Sequence, residues 1–126
     1  MTHVFRLRVY YEDTDFGGIV YYANYLKYIE RARSEWVRSR GVDQRRMKEE
    51  TGVVFAVRRV EADYLSPAHF DDELEVRTEF VEFGSAKVIL RQEIWRGESR
   101  LFVALVTLVA IGAGGWPTRI PAALRP

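Results

Sequence analysis

Three carboxylates lie within four residues near the start of the chain, directly before two glycines and an aromatic run. The stretch reads YYEDTDFGGIVYYANY over residues 10–25, and its acids are Glu12, Asp13 and Asp15. Carboxylates that cluster beside apolar side chains repel one another and lose solvation, so a compensating partner is needed. In an isolated D-x-D segment, the side chains most often accept hydrogen bonds from backbone amides of a turn. The alternative is a reaction in which one carboxylate acts as a base.

The residues after Asp15 favour chemistry over a purely structural turn. Gly17 and Gly18 allow close approach of the backbone. A helix that is predicted to begin at Asn24 would present free N–H groups with positive dipole character. A general base and an oxyanion site would then come from one segment. From the residue types alone, turn and reaction both stay open.

The elements that position this segment are a first strand and a long amphipathic helix. Alternation over Val4–Glu12 predicts the strand, and the residues of Asp13–Gly18 are typical of a turn. From Asn24, which we predict as the N-cap, the apolar period becomes helical, and Gly41 is predicted to end the helix. The apolar stripe of this helix comprises Tyr25, Ile29, Ala32 and Trp36.

The rest of the chain is predicted to be mostly strands joined by short turns. A short helix is expected over Asp43–Glu50, and residues 112–126, with three glycines and three prolines, are expected to be irregular. The pattern predicts one α+β domain over residues 1–126, whose antiparallel meander curls around the long helix. An open sheet edge favours association into a dimer or tetramer. The predicted strands are Val53–Tyr64, Glu73–Phe83, Ala86–Trp95 and Ser99–Ile111.

Composition excludes several classes of protein. A formal net charge of +1 argues against a general nucleic-acid binder. There are no cysteines, and His3 and His69 are the only histidines, so we expect no thiolate chemistry and no metal site. The longest apolar run, Leu101–Gly115, is shorter than the ~20 residues that span a bilayer. With no signal-peptide pattern at the N-terminus, we expect a cytoplasmic protein without a membrane span.

Two motifs resemble those of the hotdog-fold acyl-CoA thioesterases. Residues 11–36 match the pattern Y-x-D-T-D-x-x-G-x-V-x-Y-x-N-Y followed by E-R-A-R-x-E-W, and DYLSPAHFDDEL at residues 63–74 is similar to a second family segment. The nearest group is the Tol-Pal-associated thioesterases, which are related to 4-hydroxybenzoyl-CoA thioesterase. The resemblance covers residues 4–111 and implies a curved antiparallel sheet around one central helix. It also implies active sites that form between subunits.

The resemblance also implies roles for individual residues. Asp15 matches the family's catalytic carboxylate, which acts as a general base on water or as a nucleophile that forms a transient anhydride. Tyr22 matches the residue whose backbone N–H polarises the thioester carbonyl at the helix start. Many close relatives have His at that position, so a role for that imidazole is not expected here. The implied substrate is an acyl-CoA, and no metal or redox cofactor is required.

The remaining candidates are weaker. Gly18 and Asn24 are candidates for the substrate site, Asn24 chiefly as a cap that orients the turn. Four basic residues on predicted neighbouring strands, Arg58, Arg59, Lys87 and Arg91, could bind the CoA phosphates, since phosphate recognition favours Arg. Solvated strand faces explain the same four residues equally well. Asp71 and Asp72 are interpreted as turn and strand-start residues.

Two rival functions remain at this point. A non-catalytic hotdog module could bind an acyl-CoA or a protein partner of a cell-envelope complex, although such a module has no need of Asp15. A hotdog dehydratase would need a catalytic histidine, and His3 and His69 both lie outside the motif.

Overall fold

The structure, a computed structural model, describes residues 2–126. Its elements follow the predicted order closely, with β3 and β5 ending at the predicted residues. In chain order they are β1 (His3–Arg8), α1 (Asn24–Ser39), α2 (Gln44–Thr51), β2 (Val54–Tyr64), β3 (Glu73–Phe83), β4 (Lys87–Arg96), β5 (Ser99–Ile111) and β6 (Pro117–Thr118).

One antiparallel sheet contains all of the strands. The order is β1-β3-β4-β5-β2, and β6 pairs with the end of β5. The predicted meander is confirmed for β3, β4 and β5. Strand β2 does not join it beside β3, however, because the segment 65–72 carries the chain across the end of the sheet and leaves β2 paired with β5. The two edges of the long-stranded sheet are therefore β1 and β2.

Helix α1 covers one face of the sheet diagonally. Near its start the Tyr25 ring stacks on Phe102 of β5, with the ring centroids 5.2 Å apart. Near its end the Trp36 ring meets Phe80 of β3 edge-on at 5.1 Å. The predicted apolar stripe is confirmed as buried core, together with Tyr28 and Val37. Gly41 ends the helix as predicted, with a left-handed φ of 82° that suits glycine.

Strand β2 stays largely uncovered by this diagonal. Val57 and Val60 pair with Leu108 and Val106, which are buried beneath the helical layer, so all four point to the same face. Nevertheless Val57 is 44% and Val60 40% exposed. An edge strand with exposed apolar side chains is an open surface of the kind that sheets usually cover or pair.

The first strand and the C-terminal tail differ from expectation. Strand β1 stops at Arg8 rather than continuing to Glu12, because residues 11–13 form a 3₁₀ turn. The tail is not simply irregular, since it contains β6 and a second 3₁₀ turn and contributes buried core residues. Those core residues are Ile120 and Leu124, whose apolar side chains are buried once the tail folds back over the sheet. Across residues 2–126, no helix combines the length and apolarity that a membrane crossing requires.

Candidate active site

The acidic segment forms a tight turn around Asp15. The Asp15 N–H donates to the Ile19 carbonyl at 2.9 Å, and the Gly18 N–H donates to the Asp15 carbonyl at 3.0 Å. The Asp15 Oδ1 accepts the Gly17 N–H at 2.8 Å. A Cβ on Gly17 would lie 3.2 Å from that same oxygen, so the glycine leaves room for the carboxylate. Gly18 has a φ of 80°, which a side chain would strain.

Asp13, two residues earlier, holds the turn to the start of α1. Its Oδ2 accepts the Tyr10 N–H at 2.8 Å. Its carbonyl accepts both the Tyr21 N–H at 2.9 Å and the Asn24 Nδ2 at 2.8 Å. The predicted N-cap role of Asn24 is wrong, because Ala23 occupies that position and the Asn24 amide reaches back to the turn instead. Asn24 does tie the helix to the acidic turn.

The backbone at Tyr22 lies just before the helix. Within residues 2–126 its N–H donates to no protein acceptor, whereas its carbonyl accepts the Tyr64 hydroxyl at 2.9 Å. The Tyr22 side chain is 60% exposed and meets the rings of Tyr21 and Tyr64 edge-on. The Tyr22 N–H therefore has no protein partner, and its position is fixed by the hydrogen bond that the Tyr22 carbonyl accepts from Tyr64 and by the helix that follows.

A cavity of about 340 Å³ brings Asp15 and Tyr22 together. Neither Gly18 nor Asn24 lines it. Gly18 belongs to the Asp15 turn through its backbone N–H, and Asn24 is tied to that turn through its side-chain amide. The histidines also lie away from it: His69 bridges Ile19 through the backbone, but its side chain is not part of the wall. The lining residues are Asp15, Ile19, Val20, Tyr22, Tyr25, Tyr64, Leu65, Ser66 and Pro67.

Two tyrosines form an aromatic wall that sequence reasoning did not assign to the site. Burial raises the pKa of the Tyr25 hydroxyl, and that hydroxyl accepts the Ala68 N–H at 3.1 Å. Burial also raises the pKa of Tyr64. Both phenols are therefore neutral donors at physiological pH. The sequence did offer one signal for this wall, which is Tyr25 in the otherwise apolar stripe of α1. A buried hydroxyl needs a hydrogen-bond partner, whereas an aliphatic side chain at the same position does not.

The segment that crosses from β2 to β3 forms the rest of the wall. Arg96 donates through one nitrogen to the Pro67 carbonyl at 3.1 Å and to the Asp72 Oδ2 at 2.9 Å. The same Oδ2 accepts the His69 N–H at 2.8 Å. Burial alone would raise the pKa of Asp72, but these hydrogen bonds and the Arg96 charge outweigh it and lower that pKa. Asp72 and Asp71, whose φ is 73°, are turn residues as predicted.

The four basic candidates lie away from this cavity. They are not on neighbouring strands as predicted, because β5 lies between β2 and β4. Arg58, Arg59 and Lys87 line a separate cavity of about 230 Å³ that shares no residue with the Asp15 cavity. Arg59 is paired with Glu61 at 3.2 Å. Arg91, which is outside that cavity, is paired with Glu79 at 2.8 Å, and this hydrogen bond raises the pKa of Arg91.

Within residues 2–126, no three His, Asp or Glu side chains gather in a way that could hold a metal ion. The residues that line the Asp15 cavity include one carboxylate, at Asp15, and the hydroxyls of Tyr25 and Tyr64, and the backbone N–H of Tyr22 has no protein acceptor among residues 2–126.

Comparison with known proteins identifies the family of this chain. The sequence profile of the thioesterase superfamily matches residues 17–103. The chain is 40% identical to the acyl-CoA thioesterase YbgC of Haemophilus influenzae over 110 residues, which cover 87% of this chain and 81% of that protein. It is 48% identical to YbgC of Helicobacter pylori over 90 residues, which cover 71% and 65% respectively.

Among solved structures, a probable thioesterase from Bartonella henselae superposes with a TM-score of 0.92 at 37% identity. The superposition covers 96% of this chain and all of that one. A curved antiparallel sheet with one long helix on its face, a profile match over more than half of the chain and these relatives agree with one another: the chain belongs to the thioesterase superfamily and has its hotdog fold.

Proposed function

We propose that this enzyme hydrolyses the thioester of an acyl-CoA to a free acid and coenzyme A. The observation that supports the proposal is the cavity that Asp15 and Tyr22 both line, together with the Tyr22 backbone N–H, which has no protein acceptor among residues 2–126. The YbgC relatives are named acyl-CoA thioesterases or acyl-CoA thioester hydrolases, which supports the same substrate class.

In the proposed reaction, Asp15 is the base or the nucleophile, and the Tyr22 backbone N–H stabilises the negative charge that develops on the carbonyl oxygen of the thioester. The carboxylate either removes a proton from the water that attacks the carbonyl carbon or attacks that carbon itself. In both routes the tetrahedral intermediate collapses with cleavage of the C–S bond and release of the CoA thiolate, which gives the free acid directly or an anhydride that water then hydrolyses. The carbonyl oxygen becomes an oxyanion beside the Tyr22 N–H at the positive end of α1. General-base action contributes roughly 10²–10⁴-fold and one oxyanion donor roughly 10²–10³-fold. A thiolate is a good leaving group, so these two contributions are sufficient.

The basic residues remain candidates for the CoA phosphates, in a modified form. Arg58, Arg59 and Lys87 line a cavity that is separate from the one with Asp15, so they would bind the nucleotide of a substrate held by another copy of the chain. That arrangement needs the dimer or tetramer that the uncovered β2 edge favours. We keep oligomerisation and a cytoplasmic location as part of the proposal.

The test is thiol release from a panel of acyl-CoA thioesters with short, long and aromatic acyl groups. We expect turnover of at least one member by the wild-type chain and none above background by Asp15→Asn. The rival function, a binding module without catalysis, predicts acyl-CoA binding by both proteins and turnover by neither. That result would overturn the proposed hydrolysis.

A further inference from the structure

Arg33 is a half-buried cation on α1 with one polar partner. Its Nη1 donates to the Gln92 Oε1 at 2.9 Å. Among residues 2–126 no carboxylate lies within ion-pair distance of its guanidinium, although a guanidinium carries five N–H donors. Burial lowers the pKa of Arg33, and the charge of nearby Glu30 opposes that change only in part. A cation that leaves water without an anion is costly, so the site favours an anionic ligand.

The guanidinium is held in a fixed position by the sheet. Gln92 is fully buried, and its Nε2 donates to the Ile29 carbonyl at 2.9 Å and to the Thr78 Oγ1 at 3.0 Å. These two bonds fix the amide so that its oxygen faces Arg33. Arg33 is therefore positioned in advance, unlike a solvated surface arginine that samples many rotamers.

Arg33 lines a cavity of about 220 Å³ between α1 and β2. The polar side chains at its wall besides Arg33 are Ser34, Gln44 and the exposed Glu30. Its remaining wall is formed by Val37, Phe55, Ala56, Val57 and Leu108. A cavity with an apolar side, one fixed cation, one carboxylate and hydroxyl and amide groups has the composition of a ligand site.

This cavity and the Asp15 cavity both lie between α1 and β2, one towards each end of the two elements. We define the trough as the space between them, bounded by Leu26, Glu30 and the half-buried Arg33 on α1 and by the exposed apolar residues of β2, Val57 and Val60. The three helical residues share one face because they are spaced by four and three. Tyr22 and Arg33 are eleven residues apart, which corresponds to about 16 Å along the helix. An extended acyl chain or a pantetheine arm can bridge that span.

We propose that the Arg33 cavity is a subsite for an oxyanion that the substrate carries at a distance from its thioester. Two groups of an acyl-CoA have this chemistry: a carboxylate at the far end of the acyl chain, and a phosphate of the coenzyme. The inference deepens the proposed hydrolysis and rests on it, because the trough leads from the Asp15 cavity.

The test compares three thioesters with Arg33→Gln and the wild-type chain. Hexanoyl-CoA has no acyl carboxylate, adipoyl-CoA has one, and hexanoyl-pantetheine has neither that carboxylate nor the phosphates. We expect Arg33→Gln to raise KM by about ten-fold or more for every thioester that carries the anion bound by Arg33, because hydrogen bonds to charged groups are stronger than those between neutral groups. An effect on adipoyl-CoA alone identifies the acyl carboxylate. An effect on both CoA thioesters but not on hexanoyl-pantetheine identifies the phosphate.

Equal changes for all three thioesters, or no change for any, would overturn the subsite. So would a change in oligomer size that restores normal KM values at high protein concentration, because Arg33 would then bind a carboxylate of a second copy. Arg38→Gln, an exposed arginine on the same helix, is the matched control and should leave every KM unchanged. If Arg33→Gln does not fold, Arg33→Lys keeps the charge but loses the fork, and it should raise the same KM values by a smaller factor.

A measurement without turnover separates this inference from the proposed function. Adipate and pyrophosphate are added to the wild-type chain and to the Arg33 variant, and the melting temperature is recorded. A rise in the wild type that is lost in the variant supports the subsite even if no thioester is hydrolysed. Turnover of hexanoyl-CoA together with no Arg33-dependent rise and no Arg33-dependent KM rejects the subsite and leaves the proposed hydrolysis intact.

Discussion

Asp13 and Asp15 stand two residues apart in one turn, yet their surroundings differ. Asp13 is half-buried, and its carboxylate and carbonyl together accept hydrogen bonds from Tyr10, Tyr21 and Asn24. Asp15 is exposed at the cavity and accepts two hydrogen bonds, the Gly17 N–H at its Oδ1 and the Gly18 N–H at its carbonyl. Each carboxylate accepts one backbone N–H, so the turn interpretation of the D-x-D segment is confirmed for both. Asp13 ties the turn to the start of α1, whereas Asp15 lines the cavity.

The comparison shows why residue type alone does not identify a catalytic acid. The two carboxylates accept one backbone N–H each and differ instead in burial and in whether the residue lines the cavity, which depends on where the helix begins relative to the turn. A half-buried carboxylate away from the cavity stabilises the fold, whereas an exposed one beside the cavity is available for proton transfer or attack.

The largest expected difference between the two positions is in kcat. Asp15→Asn removes charge and basicity with almost no change in volume, so we expect thiol release to fall by roughly 10²-fold or more. Asp13→Asn keeps a side-chain oxygen that can accept the Tyr10 N–H. It should retain more than about a tenth of the wild-type rate, a smaller loss than the roughly 10²-fold or more expected when a catalytic base is removed. Steady-state kinetics on both variants decides this. Similar losses in the two would mean that Asp15 acts only through the turn.

The second prediction tests the backbone donor of Tyr22, a residue that lines the same cavity as Asp15. Tyr22→Pro deletes the backbone N–H, and we expect kcat to fall by roughly 10²–10³-fold. The fold should persist because that N–H has no protein acceptor among residues 2–126, although proline also restricts Tyr21 to extended angles. Circular dichroism and sedimentation must accompany the kinetics.

Two milder changes at Tyr22 serve as controls. Tyr22→Phe and Tyr22→His keep the backbone donor and should stay within a few-fold of wild type. A folded proline variant with normal kcat would place the oxyanion donor elsewhere. A large loss in Tyr22→Phe would instead assign chemistry to the hydroxyl.

The smallest effect concerns the wall of the cavity rather than its reacting groups. Asp72→Asn weakens the link from Arg96 that holds the crossing segment, and it should lower the free energy of unfolding by about 1–2 kcal/mol at neutral pH. The folded-state pKa of Asp72 is lowered, so its contribution is present above the ordinary value of 3.8 and is lost as pH falls through the folded pKa. Denaturant titrations at pH 7 and at pH 3 test this. A difference between wild type and variant that does not shrink at pH 3 would contradict it.

Much of the fold could be predicted because its signals are local. The bounds of β3 and β5, the buried stripe of α1 and the glycine that ends it all follow from side-chain period and backbone freedom. The N-cap of α1 was mispredicted, since Ala23 occupies that position and the Asn24 Nδ2 donates to the Asp13 carbonyl. The tail was mispredicted because Ile120 and Leu124 are buried only through contacts with distant parts of the chain.

The sequence by itself determined the family, the class of fold and the pair of residues proposed for chemistry, because Asp15 and Tyr22 belong to one continuous segment whose turn and helix are locally encoded. Tertiary structure decided which strands are neighbours. Strand β5 lies between the strand of Arg58 and Arg59 and the strand of Lys87, yet the three residues line one cavity, and the diagonal of α1 places Arg33 against Gln92 with no ion pair among the described residues. Strand order and helix inclination depend on pairings between residues far apart in sequence, and no periodicity within a single segment reports them.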